Sequence, residues 1–104
     1  KNSPRIYREK RFSVRDVLSE NGEPILVQGV IDCFIYDKNG DITLVDYKTD
    51  RIPHNMTKEE GRALLRERHS TQLSYYKKAL ESLTGDNVTR TLIYSFGLNE
   101  AIEL

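Results

Sequence analysis

The stretch from Ile25 to Lys48 constrains this chain more than any other. Two apolar runs, Ile25 to Tyr36 and Ile42 to Tyr47, are separated only by Asp37-Lys38-Asn39-Gly40-Asp41. So short a connection implies an antiparallel hairpin. Each run also carries an aspartate, Asp32 in the first and Asp46 in the second. An ionised carboxylate in such surroundings is costly to desolvate unless it is paired, hydrogen-bonded or holding a metal.

The turn decides what those aspartates can do. If Lys38-Asn39-Gly40 is a three-residue loop with glycine in the left-handed position, Asp37 flanks it opposite Asp41, and counting back sets Asp32 opposite Asp46. Directly opposed residues share a face, with β-carbons roughly 4.5–5.5 Å apart. Lys48, two residues beyond Asp46, joins them there. If Asn39-Gly40 is instead a two-residue turn, the register moves by one, Asp32 faces Tyr47, and the cluster disperses. The sequence leaves both turns open.

The remaining elements follow from pattern. Ile6 to Val14 has β-type composition, and Asn21-Gly22-Glu23-Pro24 is a turn signal ahead of the first long run. After Pro53 the period changes. Thr57 followed by Glu60 has capping-box spacing, and Leu65, Gln72, Tyr76, Ala79 and Leu83 recur at helical intervals until Gly85 offers a stop. A last strand covers Thr89 to Phe96. The order β-β-β-α-β predicts an α/β or α+β layer arrangement without internal repeats.

At 104 residues the chain is one small domain at most. Sixteen basic and sixteen acidic side chains cancel, so net charge names no polyanionic partner. Their distribution is uneven: Lys1, Arg5, Arg8, Lys10, Arg11 and Arg15 stand against Glu9 alone. That strip suits either a phosphate contact or a charged strand edge. Cys33 is the only cysteine, which excludes an intrachain disulfide and any four-cysteine metal site within this chain, and a reducing compartment fits best. No stretch is long and apolar enough to span a bilayer, so no membrane role is expected. The chain begins without methionine and enters strand-like sequence almost at once, so residues 1–104 read as a single truncated domain of a larger protein.

Two carboxylates converging beside an ammonium make an oxygen-rich site for a hard cation such as magnesium, which keeps several waters and often shares its shell with substrate phosphates. Such a metal polarises the phosphoryl group and acidifies a bound water, while lysine adds positive charge where negative charge develops. The plainer alternative is a buried Asp–Lys ion pair.

Gly29-Val30-Ile31-Asp32, Asp46-Tyr47-Lys48-Thr49 and Gln72-Leu73-Ser74-Tyr75-Tyr76 resemble the successive motifs of the PD-(D/E)xK nuclease superfamily. The similarity is to the RecB-type nuclease domain that ends bacterial helicase–nucleases, and within it to the AddA branch. It covers nearly the whole chain, from Arg8-Glu9-Lys10 to the final strand.

The resemblance implies a restriction-endonuclease-like core and a set of roles. Asp32 and Asp46 would ligate magnesium or manganese with the Tyr47 main-chain carbonyl, and Lys48 would position or activate the hydrolytic water. Gln72 and Tyr76, one helical turn apart, would support the site or touch DNA; Tyr76 also lies in the apolar stripe and suits a core position. The family's helix before the first strand, with its own site residue, does not fit before Arg5, and neither His54 nor His69 replaces it.

No Gly-x-x-x-x-Gly-Lys-Ser/Thr loop occurs, so ATP binding would belong to helicase domains elsewhere in the same polypeptide. The implied activity is metal-dependent exonuclease processing of single-stranded DNA ends during recombinational repair of double-strand breaks. Its setting would be the bacterial cytoplasm, at the nucleoid, with a second, AddB-like protein as partner. An inactive nuclease-fold domain that binds DNA or scaffolds a partner, and a plain interaction domain, are the alternatives.

Overall fold

The computed structural model describes residues 5–104; Lys1 of the cationic strip and Asn2-Ser3-Pro4 lie outside the described residues. The elements run β1 (Arg5–Leu18), β2 (Pro24–Tyr36), β3 (Ile42–Lys48), α1 (Lys58–Thr84), β4 (Val88–Ser95) and β5 (Glu100–Glu103). This is an α+β fold with one mixed sheet in the order β1-β2-β3-β4-β5. β1, β2 and β3 form an antiparallel meander, α1 crosses over so that β4 lies parallel to β3, and β5 returns antiparallel to β4.

Local chemistry sets the ends of α1. The Thr57 hydroxyl accepts from the Glu60 N–H at 3.1 Å, and the Glu60 carboxylate accepts from the Thr57 N–H at 2.8 Å, so the capping box read in the sequence forms. Gly85 closes the helix in the left-handed region (φ 74°), its N–H donating to the Glu81 carbonyl. One stripe of the helix buries Ala79 and Leu80 against Ile31, Phe34, Ile42 and Leu44 of the sheet. Leu65 makes a smaller cluster with Leu98 and Ile102 at the other end.

Two departures from the sequence reading concern strands. β1 continues to Leu18 because the register shifts between Val14 and Val17, where Asp16 adopts φ 62°. The bulge puts two buried valines three apart and breaks the alternation that marks a strand. β5 has no counterpart in the sequence reading: it is four residues long and only Ile102 is buried, too little pattern to read.

Strand β2 changes which parity faces the helix. Val27, Gly29 and Ile31 point toward α1, and then Phe34 and Tyr36 do so. The inversion falls at Asp32. Across from it on β1, Glu9 sits at φ 53°, between the pairs Arg8↔Cys33 and Lys10↔Ile31. A left-handed glutamate is sterically unfavourable and is held there by the surrounding pairing.

Candidate active site

The hairpin between β2 and β3 takes the three-residue loop. Asp37 N–H donates to the Asp41 carbonyl at 2.9 Å, Gly40 N–H donates to the Asp37 carbonyl at 3.1 Å, and Gly40 is left-handed at φ 84°. The Asp37 carboxylate stiffens the loop by accepting from the Asn39 and Asp41 N–H groups. Pairing then runs from Tyr36↔Ile42 to Cys33↔Val45. One further step sets Asp32 opposite Asp46.

Asp46 is buried, at 6% exposure. Lys48 Nζ lies 2.8 Å from its Oδ2, although that oxygen has no well-aligned hydrogen bond. The same ammonium donates to Gln72 Oε1 at 3.2 Å, so it is held between the end of β3 and the middle of α1. Asp32 Oδ2 accepts from the Tyr47 N–H at 2.9 Å. A carboxylate thus takes a main-chain donor on the strand that carries both Asp46 and Lys48.

Burial pushes the Asp46 carboxyl above the usual aspartate range; Lys48 pulls it back, and the neighbouring Asp32 carboxyl raises it again. The Lys48 ammonium at 2.8 Å compensates the buried Asp46 carboxylate. Two neighbouring carboxylates beside one ammonium are also donors of the kind a hard cation accepts. Among the described residues no three His, Cys, Asp or Glu side chains gather as a metal cluster. Magnesium needs only one or two protein carboxylates beside water and phosphate oxygens, and Asp32 and Asp46 are donors of that kind.

Of the other residues singled out by sequence, Gln72 reaches Lys48, and Tyr76 is half-buried against the edge of the core. The Tyr76 ring meets Phe12 edge-on at 4.9 Å and packs over Gly29, where a β-carbon would fall 2.3 Å from the Tyr76 hydroxyl. Tyr47 itself is exposed and tilts against Phe96. His54 is exposed in the loop before α1.

His69 joins a group that sequence reasoning missed. Asp50 Oδ2 accepts from Arg68 Nη1 at 2.8 Å and lies 3.0 Å from His69 Nε2. The Arg68 guanidinium holds the Asp50 carboxyl below its usual range; burial opposes this and His69 assists it. The available signal was spacing: Arg68, His69 and Gln72 fall on one helix face, and Asp50 follows Lys48 by two residues.

Comparison with known proteins places this geometry in context. Residues 3–101 match the family model of the PD-(D/E)XK nuclease superfamily. The chain is 38% identical over 108 residues to the A subunit of the ATP-dependent helicase/nuclease of Bacillus pumilus (strain SAFR-032), covering 95% of this chain and 9% of that protein. The protein of the same name from Ruminiclostridium cellulolyticum is 35% identical over 113 residues, with 98% and 8% covered. That from Bacillus cereus (strain Q1) is 41% identical over 92 residues, with 86% and 7% covered. The chain thus spans less than a tenth of the length of these curated relatives.

Proposed function

The chain belongs to the PD-(D/E)XK nuclease superfamily, and on that premise we propose that it is a magnesium- or manganese-dependent DNA nuclease domain of a bacterial helicase–nuclease. It acts on single-stranded ends that helicase domains of the same longer polypeptide deliver during double-strand break repair, with a second protein of the AddB kind as partner. The observation that carries this reading is the Lys48 ammonium, held between the buried Asp46 carboxylate and Gln72 with Asp32 facing it.

Each residue has a part in phosphodiester hydrolysis. Asp32 and Asp46 hold the cation, with the Tyr47 carbonyl as a third protein donor. Bound there, the cation would polarise the phosphoryl group and acidify the attacking water. Lys48 supplies fixed positive charge where the phosphate becomes more negative, and Gln72 limits the ammonium to one position, so little reorganisation is needed during reaction. A site of this kind reads backbone rather than bases.

Calorimetry with manganese tests the metal site: the 104-residue chain should give a binding heat that Asp46→Asn abolishes, and a metal-independent baseline would refute the assignment. Digestion of single-stranded DNA with magnesium tests the chemistry, since Lys48→Ala should stop it. Small misplacements in such a constellation cost on the order of a hundredfold in rate. A version extended upstream by one helix and its connection, about 20–40 residues, should therefore cut far faster than this chain. Equal rates would remove the extra helix from the account.

A further inference from the structure

On the helix side of β1, about 340 Å³ of open recess lies between Arg5, Tyr7, Lys10, Phe34, Tyr36 and Leu83. Tyr7 stacks on Phe34 with ring centroids 4.9 Å apart and meets Tyr36 edge-on at 6.0 Å. The Arg5 guanidinium caps Tyr36 at 4.3 Å. Phe34 and Tyr36 are buried, whereas Tyr7 and Leu83 remain 38% and 51% exposed, so a rigid aromatic floor carries a half-open rim. Phe34 stands two residues beyond Asp32 on β2, which puts the recess roughly 7 Å along the strand from the candidate active site.

Charge distinguishes this edge from the opposite one. At the β5 edge the cations are neutralised: Arg62 pairs with Glu100, Arg90 pairs with Glu103, and Arg66 donates to the Glu103 carbonyl. On β1, Arg5, Arg8, Lys10, Arg11 and Arg15 are all exposed, and among the described residues none has an ion pair. Charges that only guarded a strand edge would need no aromatic recess between them. An electropositive track with stacking surface is what single-stranded nucleic acid requires.

We propose that this recess is a subsite for one nucleobase of a single strand, stacked against Tyr7, with the flanking phosphates on Arg5 and Lys10. The identity of the ligand rests on the nuclease reading; the geometry of the subsite does not. It holds the strand beside Asp32 and Asp46 and takes any base, since every base has a face to stack.

The test is fluorescence anisotropy on the 104-residue chain without divalent metal, using labelled oligothymidylate of about ten nucleotides and, as a second probe, inorganic polyphosphate. Lys10→Gln and Arg5→Gln should each weaken both probes and reduce the salt dependence of oligothymidylate binding by about 0.7 for each phosphate no longer neutralised. Tyr7→Leu, which keeps apolar bulk, should weaken oligothymidylate by about fivefold or more and leave polyphosphate unchanged, which also reports that the variant is folded. Oligothymidylate bound equally by the parent and Tyr7→Leu overturns the subsite, as does an equal loss of both probes. A chain that cuts DNA but shows either result loses the subsite alone; one that binds in the expected pattern while its upstream-extended version also never cuts loses the nuclease reading alone.

Discussion

Gly29 and Tyr76 show how one missing β-carbon shapes the neighbourhood of the site. Because a β-carbon at position 29 would lie 2.3 Å from the Tyr76 hydroxyl and 3.0 Å from its ring, Gly29→Ala forces the ring off Phe12. Urea titration should show a loss of about 1–3 kcal/mol, part of which Tyr76→Phe restores by removing the nearer atom. A second prediction concerns Asp46, whose carboxyl is raised by burial. A proton must leave before a cation binds, so manganese affinity should climb as pH rises from the ordinary aspartate range through the raised one. Affinity that stays flat from about pH 5 to 8 would count against a shared site. At this scale the sequence was informative where local rules act. The Asp37 to Asp41 loop has one glycine in the place a left-handed residue is needed, which admitted the three-residue turn without choosing it over Asn39-Gly40; the pairing that forms aligns Asp32 with Asp46. The Asp50–Arg68–His69 group stayed hidden because its members lie 18 and 19 residues apart and meet only through packing.

That same group joins two elements, the exit of β3 and the middle of α1. The Asp50 carboxyl is depressed, so it contributes stability above the ordinary aspartate pKa and loses it as pH falls through the depressed value. Asp50→Asn should cost about 1 kcal/mol at neutral pH, reduced from a fully buried pair because Arg68 is half exposed. The difference from the parent should shrink as pH drops below the aspartate range; a constant gap would mean that packing rather than charge makes the link. Elements with self-contained signals were legible: the capping box and Gly85 bound α1 as the sequence suggests. Strands that depend on neighbours were not. Asp16 and Glu9 each adopt a left-handed conformation that resets the alternation along β1; aspartate tolerates that region better than most residues, but glutamate has no such preference to announce it.

Taken whole, the molecule divides the site between two structural units. Asp32 and Asp46 belong to the β2–β3 hairpin, a local pairing, while Gln72 reaches Lys48 from a helix 24 residues away, within a crossover that must close before β4 can lie parallel to β3. The Tyr47 N–H, bonded to Asp32 instead of a main-chain carbonyl, offers a direct probe of the first unit. Asp32→Ala should speed hydrogen exchange at Tyr47 while Leu44 and Val45 keep their protection; loss across the whole strand would show that Asp32 holds the hairpin itself together. The second unit is joined to the first by the Gln72–Lys48 contact and by the packing of Ala79 and Leu80 on the hairpin strands. With the crossover open, Lys48 keeps its neighbour Asp46 on β3 and loses only the Gln72 oxygen, so the ammonium would be aimed by one partner instead of two until the helix docks.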